Sequence, residues 1–135
     1  MRVTAYFSRR FRYLRLLEAS LLVGAAYDLG FAALMVAAPE VPSRVLGLPL
    51  PGERFYLWLL AVLLAMLASL YMAAARDPRR YSAIIAVAIA GRIAGGIAMA
   101  LAAASGRGLS GLYPLAGMDL AFGLSHWAFW APIRS

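Results

Sequence analysis

Three observations predict an all-α membrane protein folded as a polytopic four-helix bundle. Of 135 residues, 64% are hydrophobic and 14% charged, where an ordinary soluble domain has about 45–50% and about 25%. The apolar residues gather into four runs, at about 16–38, 55–75, 81–104 and 112–132, each near the ~20 residues that cross ~30 Å of hydrocarbon as a helix. Clusters of Pro, Gly and charge separate the runs and supply the breaks. Residues 1–135 therefore read as a single membrane domain with no soluble part.

The segment Met1 to Leu17 interleaves Arg with Tyr6, Phe7, Phe11 and Tyr13, a pattern that predicts a short amphipathic helix lying on an anionic inner leaflet. Ser8-Arg9-Arg10 has the look of a twin-Arg signal, but the apolar run that follows is too long for one and contains Glu18 and Asp28. That run is predicted to stay as the first transmembrane helix. Pro39 to Arg54 form the first connection, Arg76-Asp77-Pro78-Arg79-Arg80 the second and Ser105 to Gly108 the third. The second helix has no charge inside the membrane and is expected to contribute packing. Tyr56, Trp58 and Tyr113 are expected at the outer interface, and Tyr71, Trp127 and Trp130 at the inner one, as aromatic anchors.

Charge supplies topology and excludes function classes. All thirteen basic residues are Arg, against six acids, a net +7; the lack of Lys with abundant Ala and Gly points to a GC-rich bacterial genome. Nine Arg fall on the tails and the second connection against three on the other two connections, which places both termini in the cytoplasm and the chain in the bacterial inner membrane. The Arg residues flank apolar runs, so anionic lipid headgroups are the expected partners and nucleic acid is not. Without Cys there is no thiol chemistry. The sequence has no phosphate-binding Gly loop and no His cluster, so no cofactor and no metal is predicted.

Charges deep in a membrane cost a few kcal/mol each on insertion scales and mark candidate sites. Asp28, Arg92 and Asp119 lie roughly 18, 16 and 20 Å from the cytoplasmic ends of their helices at ~1.5 Å per residue, which puts three charges from three helices in one layer. An Arg fork and two carboxylates satisfy one another only at contact. Arg92 shares a stripe with Ala88, Gly95 and Gly96, and Gly91 with Gly95 forms a small-xxx-small pair; Asp119 shares its stripe with Phe122, Gly123 and His126; Asp28 shares its own with Gly24, Ala25, Phe31 and Ala32. Tyr27 falls on the flank of that last stripe. Glu18, paired with Arg15 or solvated, lies close enough around the helix for a polar seam to run from it past His126 to the cluster. Two acids against one Arg leave a surplus negative charge, which predicts a protonated carboxylate or a proton shared with His126.

The order Tyr27-Asp28, Pro-rich connection, Ala75-Arg76-Asp77-Pro78-Arg79-Arg80-Tyr81, Gly91-Arg92 and Asp119 resembles small bacterial four-helix membrane proteins of the DoxX-like group, over most of residues 16–132. The resemblance implies a four-helix bundle and, through the group's founding member, a link to a quinol-oxidising complex.

The residues themselves support four functional readings. One is binding of a lipophilic molecule, quinone- or isoprenoid-like, at Arg92, with Asp28 and Asp119 orienting it and Phe31, Phe122, Tyr27 and His126 around it; coupling to protons is a second. A third is an intramembrane acid-base enzyme, isomerase-like, using Asp119, His126 and Glu18. The fourth is a subunit of a larger complex or homo-oligomer in which the charges only staple helices together.

Overall fold

No Pro interrupts the chain before Pro39, and α1 uses that freedom. In the computed structural model, which describes the backbone of 2–134 and side chains from Arg10 to Arg134, α1 is one helix over Arg2–Ala37. The interfacial segment and the first span, expected as separate pieces, are continuous, since nothing between them removes a backbone donor. The side chains up to Arg9, Tyr6 and Phe7 among them, lie outside the described residues.

α1 stops where Ala38 precedes Pro39, a position that disfavours helical backbone. The first connection is not wholly irregular: α2 spans Glu40–Leu46. Pro42 is tolerated there because first-turn N–H groups have no partner within the helix. Gly47, at φ 64°, ends α2, and its N–H and that of Leu48 both donate to the Ser43 carbonyl. α3 (Arg54–Arg76), α4 (Ser82–Ala104) and α5 (Leu112–Arg134) follow within a residue or two of the predicted bounds. The turn between α3 and α4 is held by Asp77, whose carboxylate accepts the N–H of Arg80 and whose carbonyl accepts that of Tyr81.

Three helices are long and apolar enough to cross a membrane, Arg10–Ala37 within α1, α3 and α4. α5 has the length, 23 residues, but Asp119, Ser125, His126 and two Pro lower its hydropathy below that of the others. α1 packs most extensively on α3 and α4 on α5; α1 also meets α5, while α3 touches α4 only lightly. Small residues face inward, among them Ala25, Ala68, Ala74, Ala88 and Ala116, whereas Leu22, Val62, Met66, Val87 and Leu101 face out. This inversion of the soluble pattern lets backbones approach closely and leaves large side chains for lipid.

Glycines let α4 and α5 approach closely. A Cβ on Gly96 would come within 2.7 Å of Leu120 Cγ, and one on Gly123 within 2.9 Å of Ile93 Cγ1. The pair expected from spacing, Gly91 with Gly95, is not the contact: Gly91 faces open space. The register is set by Gly96 and Gly123 because these two stand opposite bulky neighbours. At the end where α3 turns into α4, Leu17, Leu21, Tyr71, Ile85 and Trp130 form a continuous core, and Arg10 donates to the Ile133 carbonyl at 2.9 Å, covering a carbonyl that α5 leaves without a helical partner.

Candidate functional site

Arg92 stands at the centre of the molecule. Its Nη1 donates to Asp119 Oδ1 at 2.5 Å and its Nη2 to Asp28 Oδ2 at 2.7 Å, so the three charges expected in one layer meet there. One nitrogen serves each carboxylate, and the guanidinium bridges where a bidentate fork would bind one acid alone. The Asp119 bond lies within the α4/α5 pair; the Asp28 bond reaches across to α1, a helix that is not packed beside α4. The long Arg stem is what spans that gap. Asp28 is fully buried and Arg92 is 6% exposed, while Asp119 retains 18%.

Aromatic rings enclose the guanidinium. Arg92 Cζ lies 5.2 Å from the ring centre of Phe122, 5.3 Å from Tyr71 and 5.9 Å from Tyr27, distances at which a ring face attracts a cation. Tyr27 thus reaches the cluster from the flank, stacked with Phe31 at 6.2 Å and tilted on Phe122 at 5.5 Å. Tyr71 is a correction. Expected at the inner interface, it is 2% exposed, and α3 contributes to the site as well as to packing. The sequence held a signal for this, since Leu57, Ala61, Leu64, Ala68, Tyr71 and Ala75 repeat at alternating three- and four-residue steps, which is one helix face. Trp130, also expected as an anchor, is buried beneath Arg134; Tyr56, Trp58, Tyr113 and Trp127 are exposed.

His126 points inward, as its stripe implies, and is fully buried. Its ring stacks on Phe122 at 6.1 Å and meets Tyr71 at 6.0 Å, and it lies beside Gly24 of α1. Neither ring nitrogen has a hydrogen-bond partner among the described residues, so no His126–Asp119 pair forms. Glu18 is half-buried. It makes no ion pair or hydrogen bond among the described residues, and Arg15 lies over Phe11 at 5.2 Å and away from an acid. The seam from Glu18 through His126 is therefore not connected by any bond.

A cavity of about 540 Å³ rises from the cluster toward α2. Tyr27, Asp28, Arg92, Gly95 and Asp119 form its floor, and Phe31, Met35, Leu60, Leu64 and Met99 its walls. Gly95 leaves space for the acid, since a Cβ there would stand 3.2 Å from Asp119 Oδ2. α2 and the Leu48–Pro51 segment line the far end; a Cβ on Gly111 would overlap the Leu46 carbonyl, so α2 sits directly on the start of α5. His126 and Glu18 do not line this space, while Phe122 borders it only through Tyr27. Asp28 Oδ1 and Arg92 Nε are buried without partners, unusual for charged groups in an apolar interior. Among the described residues no cluster of side chains is arranged to hold a metal. Comparison with family models, curated proteins and solved structures finds no match to this chain.

Proposed function

We propose that this chain is a multi-pass four-helix bundle of the bacterial cytoplasmic membrane, with both termini inside, and that it binds a lipophilic small molecule, quinone- or isoprenoid-like, in the cavity above Arg92. The observation that carries the reading is the cavity itself: about 540 Å³, apolar along its walls, with the Asp28–Arg92–Asp119 cluster as its charged floor. Binding sites for small molecules are commonly such apolar spaces with a few convergent polar groups. Ligand size agrees, because ~300–1,000 Å³ is the range that small-molecule pockets occupy. The resemblance to DoxX-like proteins rests on architecture and polar positions and is part of this proposal. The acid-base reading draws less support, since Glu18 and His126 stand outside the cavity.

Native mass spectrometry and lipid extraction of the purified protein test the reading. The parent should retain a lipophilic molecule. Leu64→Trp combined with Ala98→Trp, crowding the cavity from α3 and α4, should lose it while the melting temperature holds. Equal retention by the crowded variant would overturn the proposal. Topology is checked by Ser105→Cys, which should label from outside intact cells.

A further inference from the structure

The charge of the cavity floor selects a head group. Among the described residues Asp28, Arg92 and Asp119 are the only charged ones that line the space, and with both carboxylates ionised, the state a bound cation favours, they sum to one negative charge. Arg92 is engaged on both terminal nitrogens by those carboxylates and enclosed by three rings. Its charge is therefore already answered within the protein. Asp28 Oδ1 and Arg92 Nε are unpartnered but sealed within the cluster; the acceptor left on its most exposed member is Asp119 Oδ2, which stands against Gly95. Tyr27 and Phe31 line the adjoining wall, and their faces attract a cation.

An anionic head would meet the Asp119 carboxylate, and a carbonyl head, able only to accept, would find both terminal nitrogens of Arg92 already taken. An ammonium would supply both a positive charge and a donor to Asp119. We infer that the cavity takes a lipophilic amine in its protonated form, with an ammonium N–H donated to Asp119 and the tail lying along the Leu60, Leu64 and Met99 wall. This rests on the cavity being a binding site and departs from the carbonyl head of a quinone.

Three probes with one tail separate the heads: dodecylammonium, dodecanol and dodecanoate, titrated calorimetrically at neutral pH into the intact protein in phosphatidylcholine nanodiscs, with empty nanodiscs subtracted. Dodecylammonium should bind about tenfold or more tighter than dodecanol, and dodecanoate weakest. The net charge of +7 favours the anion at the surface, so this order cannot arise from non-specific attraction. Asp119→Asn should erase the preference for the ammonium and leave dodecanol binding in place. Should that variant fail to fold, the order of heads on the parent protein decides. Dodecanol binding as tightly as dodecylammonium, or dodecanoate binding tighter, would overturn the amine while leaving the cavity a binding site. If none of the three binds and the crowded variant retains as much lipid as the parent, the cavity reading fails and the amine with it.

Discussion

The two ends of the same helices are built differently. Toward the end with the α3–α4 turn, Leu17 and Leu21 of α1, Tyr71 of α3, Ile85 of α4 and Trp130 of α5 fill the space between helices. Toward the other end, Met35, Leu57, Leu64, Met99 and Leu115 surround a cavity of about 540 Å³. Both sets are apolar, so hydropathy does not distinguish them. The difference lies in what holds the helices apart. The packed end is joined by one tight turn at Asp77, whereas the other end is spanned by α2 and a Pro-rich strap seated on the start of α5. A packed core and a cavity can thus share four helices when one end is cross-braced by backbone and the Arg92 cluster seals the boundary between them.

The boundary should be the most sensitive point. Arg92→Leu strands two carboxylates in a low-dielectric interior, a loss of about 3–5 kcal/mol for a broken buried pair. Protonation can relieve them in acid, so the fall in melting temperature in detergent should be larger at pH 8 than at pH 5. Equal falls would mean that the acids do not depend on Arg92.

Packing at the two ends gives the next contrast. Leu21→Ala, at a fully buried position, should cost about 2–5 kcal/mol through lost contacts and a new void. Leu64→Ala borders space that is already open, and should cost less than half as much as Leu21→Ala. Matching losses in chemical denaturation would erase the distinction between packed and hollow ends.

Helix approach offers a smaller test on one helix. Gly96→Ala should cost about 1–3 kcal/mol by overpacking against Leu120. Gly91→Ala meets nothing and should be neutral or stabilising by up to about 1 kcal/mol from helix propensity. Thermal shifts of the two variants in parallel decide it.

The smallest effect is expected outside. Arg54 and Glu40 approach to 3.9 Å with both side chains exposed, linking the starts of α3 and α2. Arg54→Ala should change stability by no more than about 1 kcal/mol. A larger loss in the melting temperature would show that the strap at the hollow end is braced by this pair.

How far the site could be read in advance differs residue by residue. Asp28, Arg92 and Asp119 stood out because charge in an apolar run is conspicuous and depth follows from counting residues. Tyr71 did not, since a Tyr near the end of an apolar helix also suits an interfacial belt, and only its place on the Leu57–Ala61–Leu64–Ala68 face separates the two. The Glu18–His126 seam failed for another reason. Residues can share a helix face and still lack bonds once the neighbouring helices take their rotation.

The amino-acid sequence by itself determined the helical class, the positions of the breaks and the identity of the three charges, because hydropathy, Pro and charge are properties of residues in order along the chain. Tertiary structure decided that Gly96 and Gly123, and not Gly91, set the α4–α5 approach, that Tyr71 and Trp130 turn inward, and that one end of the assembly stays hollow. Those outcomes depend on the rotation and spacing of one helix against another, which arise from side chains meeting across elements far apart in sequence.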